Sequence, residues 1–170
     1  MEKIYYTDFH SPFGRVFAAK TVKGVCSIDF SGMDEAEFLS SLKKMFREEA
    51  VKDKSEFGKI QKVLLDYFNG ELRECSFPLD LRAGTQFQRK VWKKLMDIPY
   101  GELRSYKWVA GEIGDMNASR AVGNAVGANP LPPAIPCHRV VCSDGSLGGY
   151  SSGIHLKKRL LTLEGIQKVY

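Results

Sequence analysis

Pro136-Cys137-His138-Arg139-Val140-Val141 is the stretch on which the reading of this chain turns. A cysteine stands between a proline and a histidine, at the end of a loop that already holds Pro130, Pro132 and Pro133. Proline fixes φ and cannot donate a backbone hydrogen bond. Four prolines between positions 130 and 136 therefore predict a stiff, non-helical loop that delivers Cys137 to a fixed place. Such a setting suits a nucleophile. It also suits a buried structural thiol at the start of a strand, because free cysteine packs as a small hydrophobe.

Immediately upstream the sequence predicts two short helices. Ser105 can cap the first, which contains Tyr106, Trp108, Val109, Ala110 and Ile113 and ends at Gly114. The second runs from about Ala118 to Val126 and is rich in small residues, with Arg120 as its one long cation. Two helices joined by a short turn form a helix-turn-helix candidate, although two packed core helices give the same pattern. The smooth second helix lacks the long polar side chains that read a major groove. Its small residues fit a close backbone approach to a groove better. Before this pair, Thr85 and Gln88 make a capping box for a helix with Phe87, Val91, Trp92 and Leu95 as its core side. Pro99-Tyr100-Gly101 breaks that helix.

The first half reads as a small α/β unit. Ile4-Tyr5-Tyr6, Val16-Phe17-Ala18-Ala19 and Val25 to Phe30 are strand-like, with a turn at Thr21 to Gly24. Asp34 opens a helix with Phe38, Leu42, Met45 and Phe46 on one side. A second helix starts near Ser55 and ends at Asn69-Gly70, and Phe77 to Leu81 is a short extended piece. No catalytic signature lies here, and His10 reads as a surface or turn residue.

Charge divides the chain at the same place. Residues 1–83 carry 13 Lys/Arg against 14 Asp/Glu, whereas residues 84–170 carry 12 against 6. All of the excess in a net charge of +5 therefore sits in the half that holds Cys137. A basic half points to a polyanion, nucleic acid first, or to an ordinary solvated surface. There is no apolar run long enough for a membrane span and no secretory leader at Met1 to Tyr6, so an intracellular protein is expected. Cys26, Cys75, Cys137 and Cys142 form no paired C-x-x-C units and are expected as thiols, with a Cys26–Cys75 disulfide left open. A zinc reading of Cys137, His138 and Cys142 is disfavoured, because adjacent Cys-His geometry is poor for chelation. No phosphate-binding glycine loop is present, and no cofactor is expected.

Taken in order, Phe87-Gln88, Val91-Trp92, Leu95, Ile98-Pro99-Tyr100-Gly101, Ser105-Tyr106, Arg120-Ala121-Val122-Gly123, Asn129-Pro130, Pro136 to Val141 and Gly149-Tyr150-Ser151 resemble the O6-alkylguanine-DNA alkyltransferase family of DNA-repair proteins. The specific match covers residues 84–165. The resemblance implies two domains, 1–83 and 84–170. The first would be α/β with a ribonuclease-H-like antiparallel sheet. The second would be mainly α, with a winged-helix-like helix-turn-helix. The implied activity is direct reversal of damage: a base is flipped from duplex DNA and its O6-alkyl group passes to a cysteine that is not regenerated. O4-alkylthymine is a further conceivable substrate.

By the same resemblance Cys137 is the acceptor, His138 its water-linked base and Glu164 the orienter of the imidazole. Without the resemblance Glu164 would pass as a surface carboxylate. Tyr106 would donate to the departing guanine, against a plain reading as a half-buried helix aromatic. Arg120 would fill the vacated stack, against a phosphate contact. Asn129 would tie the second helix to the active-site loop. Tyr150 and Ser151 would line the base pocket, the backbones of Cys137 and Val140 would meet the guanine edge, and Gly148-Gly149 would let that loop approach closely. Arg139 would be structural. The implied partner is double-stranded DNA containing O6-alkylguanine, and the protein would be a monomer in the cytoplasm or on the nucleoid. The competing readings are a non-transferring alkyl-lesion-binding protein, a Cys-His-Glu hydrolase and a simple helix-turn-helix regulator.

Overall fold

The computed structural model describes residues 2–168, and these fall into two compact units divided between Ala83 and Gly84. Strands β1 (Ile4–Ser11), β2 (Gly14–Thr21) and β3 (Gly24–Asp29) form the antiparallel part of the first unit. Helix α1 (Glu35–Phe46) follows, capped by Asp34, whose carboxylate accepts from the Glu37 N–H while Glu37 reaches back to the Asp34 N–H. Strand β4 (Ala50–Lys52) was not foreseen. It lies parallel to β1 at the sheet edge, so the order is β3-β2-β1-β4 and the sheet is mixed rather than wholly antiparallel. The second helix does start at about Ser55, first as a 3₁₀ turn (Lys54–Phe57) and then as α2 (Gly58–Phe68).

The reason for this layering is legible in β2. Val16, Phe17, Ala18 and Ala19 are all buried, so the strand is covered on both faces. Phe17 stacks on Phe38 of α1 with ring centroids 5.0 Å apart. Phe13 and Phe30 both pack on Phe68 of α2, at 4.9 and 5.3 Å. The other edge strand, β3, is closed by the expected extended piece: Val25 donates to the Pro78 carbonyl and Asp80 donates to the Val25 carbonyl. A Cβ on Gly24 would lie 2.4 Å from that Pro78 oxygen, which is why glycine begins this strand. Cys26 is a buried reduced thiol, so the disulfide left open by the sequence is not formed.

In the second unit α3 (Gln86–Leu95) carries the expected Thr85/Gln88 capping box. Strand β5 (Arg104–Ser105), helices α4 (Tyr106–Glu112) and α5 (Ser119–Gly127), strand β6 (Val140–Val141) and helix α6 (Ile154–Leu163) follow. β5 and β6 pair in parallel, two residues each. Val91, Trp92 and Leu95 are core as expected, and Trp92 donates to the Ala125 carbonyl at 2.8 Å, which locks α3 to α5. Phe87 departs from expectation: it is 37% exposed, because it sits in the first turn, before the stripe faces inward. The hexapeptide also differs from a plain loop. Cys137–Arg139 form a single 3₁₀ turn that leads into β6. Among the described residues no helix is long and apolar enough to cross a membrane.

Candidate active site

Ser105 starts α4 by accepting from the Trp108 N–H at 3.0 Å, and Gly114, at φ +90°, ends the helix in the left-handed conformation that a side chain would strain. These two signals set the α4–α5 pair. Val122 and Ala125 of α5 are buried in the core. Gly123, Val126 and Gly127 of the same helix, with Tyr106 of α4, line a cavity of about 480 Å³. Cys142, Gly148, Gly149, Tyr150 and Ser151 line the rest of it. A second, wider cavity of about 500 Å³ shares Tyr106, Gly123 and Cys142 with the first and adds Lys107, Ser119 and the exposed Arg120.

Of the residues singled out from the sequence, Tyr106, Gly148, Tyr150 and Ser151 thus meet at one cavity, and Arg120 lines its neighbour. Cys137, His138, Asn129, Val140 and Glu164 do not line it. They are buried in a hydrogen-bonded block. Asn129 is the first tie of that block. Its amide donates to the Ile135 carbonyl at 2.8 Å and its side-chain oxygen accepts from the Leu131 N–H at 2.9 Å. The same Ile135 carbonyl accepts from the Cys137 N–H at 2.8 Å. One oxygen therefore joins the end of the α5 segment to the backbone of the cysteine.

Glu164 is the second tie, and here the expectation of a surface carboxylate for the isolated residue is corrected. Its side chain is fully buried, because α6 ends against the Cys137 turn. One oxygen meets His138 Nε2 at 2.8 Å, and the other accepts from the Gly101 N–H at 3.0 Å. Arg139 donates to both oxygens, at 2.8 and 2.9 Å, and to the Ile98 carbonyl at 2.6 Å. A buried carboxylate needs such pairing to stay ionised. The part of Arg139 in this block was missed beyond the word structural.

Burial dominates the titration of the site. It pushes the Cys137 thiol up, opposed by the Asn129 side chain, the Lys157 ammonium and Tyr150. It pushes the His138 imidazole down, opposed by Glu164, while Arg139 and Lys157 add to the lowering. The imidazole is thus held neutral, the form that can take a proton. Burial also raises the Tyr106 phenol, with Cys142 and Cys137 adding to the effect, so at neutral pH Tyr106 is a donor.

Gly148 explains how closely the cavity lining packs. At φ +69° it lies so near Tyr106 that a Cβ there would sit 3.1 Å from both a ring carbon and the hydroxyl oxygen. The carbonyls expected at the guanine edge each have one partner already: the Cys137 oxygen accepts from the Val140 N–H, and the Val140 oxygen accepts from Lys157 Nζ at 2.7 Å. Lys157 and Cys142 were missed as site residues. The signal for Lys157 was present, since it falls on the apolar stripe of α6, three and four residues before Leu160 and Leu161. His10 lies exposed near the end of β1.

Two family models match, and together they span nearly the whole chain. Residues 4–81 match the 6-O-methylguanine DNA methyltransferase ribonuclease-like domain, and residues 86–166 match the DNA binding domain of the same family. A methylated-DNA–protein-cysteine methyltransferase of Methanosarcina barkeri is 44% identical over 166 residues, which cover 95% of this chain and 97% of the relative. One of Haemophilus influenzae is 38% identical over 98% of this chain and 89% of its own. Among solved structures, the Mycobacterium tuberculosis O6-methylguanine methyltransferase superposes with a TM-score of 0.82 at 38% identity, covering 95% of this chain and 92% of the other. A structure of the mycobacterial protein in complex with DNA matches equally well, with a TM-score of 0.82 at 39% identity over 94% and 92%.

Proposed function

The chain belongs to the 6-O-methylguanine DNA methyltransferase family, and from that membership we propose that it repairs DNA by moving the alkyl group of O6-alkylguanine onto its own Cys137. The observation that carries the residue assignment is the arrangement at the cavity. Tyr106, the smooth side of α5 and Tyr150 line it, and Tyr150 is a group that draws the buried Cys137 thiol toward its thiolate. At about 480 Å³ the space falls within the range of small-ligand sites, so it can admit one flipped base. A guanine left in the stack could not reach a thiol that is 3% exposed.

In this reading each residue has a task. The neutral His138 imidazole takes the thiol proton, and Glu164 holds the ring by its Nε2. The Cys137 thiolate attacks the alkyl carbon, a carbon–sulfur bond forms, and the carbon–O6 bond breaks with its electrons moving into guanine. The Tyr106 hydroxyl supplies the proton that neutralises the departing base, and solvent returns the His138 proton to the phenolate. The product thioether is stable, so each molecule acts once. Asn129 fixes the backbone of the nucleophile, Gly148 permits Tyr106 its place, and Tyr150 and Ser151 pack the base. Arg120, exposed on α5, fills the stack that the base has left. The partner is double-stranded DNA met by the basic half of the chain, and the acting species is a cytoplasmic monomer.

Incubation with a duplex containing O6-methylguanine tests this, followed by intact-mass and peptide analysis. One added methyl on the Cys137 peptide is expected, and Cys137→Ser should bind the duplex but gain no mass. Lesion binding by the unaltered chain with no added methyl would instead support a non-transferring lesion-binding protein.

A further inference from the structure

Lys157 is fully buried on α6, and its ammonium meets three backbone carbonyls: Val140 at 2.7 Å, Leu147, and Gly149 at 3.3 Å. An ammonium has three donors and all three are used. The carbonyls belong to two separate structures. Val140 directly follows the Cys137–Arg139 turn, whereas Leu147 and Gly149 flank Gly148, the glycine that packs against Tyr106 at the cavity. One side chain therefore holds the nucleophile's turn and a wall of the base cavity together.

A fold does not need a charge for that purpose. Among the described residues no carboxylate pairs with Lys157, and burial of an uncompensated ammonium opposes folding. Methionine or leucine would fill the same stripe of α6 without that cost. The titratable groups that sense this charge are Cys137, Cys142 and His138. We propose that Lys157 is a positioning residue for alkyl transfer, clamping the Cys137 turn to the 147–149 wall and supplying the positive charge against which the Cys137 thiolate forms. The inference rests on Cys137 being the acceptor. Burial brings the Lys157 ammonium down to about 8, and the two thiols oppose that shift, which is the reciprocal of its pull on Cys137.

The test uses the full chain with Lys157→Met and Lys157→Arg. Iodoacetamide labelling of the Cys137 peptide is followed from pH 6 to 10 without DNA, and single-turnover methyl transfer is measured at saturating protein. Lys157→Met should move the labelling midpoint up by about one pH unit and slow transfer about tenfold, with undamaged-duplex affinity unchanged. Lys157→Arg, which keeps the charge, should restore the labelling midpoint. An unchanged midpoint in folded Lys157→Met overturns the proposal. Should that variant not fold, the lysine Nζ resonance of the unaltered protein decides. Methylation of Cys137 should lower the Lys157 titration midpoint, and no movement overturns the proposal. Failure of the unaltered protein to take a methyl from DNA would sink the repair reading instead, because iodoacetamide labelling does not depend on it.

Discussion

Gly148 shows how one missing Cβ governs the site. Alanine there would be strained at φ +69° and would crowd the Tyr106 hydroxyl at 3.1 Å and the Cys142 sulfur at 3.3 Å. Tyr106 must then shift away from the cavity. Gly148→Ala is expected to slow single-turnover methyl transfer about tenfold while costing about 1–2 kcal/mol of stability, and transfer of a benzyl group should fall further than transfer of methyl. Rates measured on the two lesions, beside a thermal melt, check this. At this scale the sequence was legible where chemistry is local. Cys137-His138 stands out as a run of letters, and Lys157 at least falls on the apolar stripe of α6, but the burial of Glu164 does not show. It depends on where the end of α6 packs, and nothing within a few residues of Glu164 states that.

The element that matters most is the loop between α5 and the Cys137 turn, held by Asn129. Alanine at 129 would leave the buried Leu131 N–H without its acceptor and the Ile135 carbonyl with Cys137 alone. An unsatisfied buried group costs about 1–3 kcal/mol, and two bonds are lost. Asn129→Ala should therefore lower the melting temperature of the second unit by at least about 8 °C, read from tryptophan fluorescence, since Trp92 and Trp108 both lie there. Capped helices were the most legible elements. Thr85/Gln88 is a reciprocal box written within four residues, and it formed; Asp34, read only as a helix start, forms another with Glu37. β4 was illegible for the opposite reason. Ala50-Val51-Lys52 has no alternation of its own and becomes a strand only because β1 offers an edge more than forty residues away in the chain.

Over the whole molecule, the two units carry different charge and different acid chemistry. In the first unit burial would raise the Asp80 carboxyl, but Arg82 and the Thr21 hydroxyl more than offset it and hold it at about 2. A folded value below the unfolded one means stability that is complete above about pH 4 and lost as the pH falls through about 2. Partial exposure of Arg82 weakens the pair, so the gain is about 1–2 kcal/mol. Urea unfolding of the native chain and Asp80→Asn should differ by that amount at pH 6, and the difference should vanish near pH 2. In the second unit the decisive feature is that Cys137, beside Asn129 and Tyr150, is only 3% exposed. The methyl it accepts adds a carbon to a side chain that the protein already buries. Overfilling a core by one carbon costs about 1–3 kcal/mol. The spent molecule should thus melt several degrees below the fresh one and yield sooner to protease, so a single repair event also sets the protein's remaining lifetime.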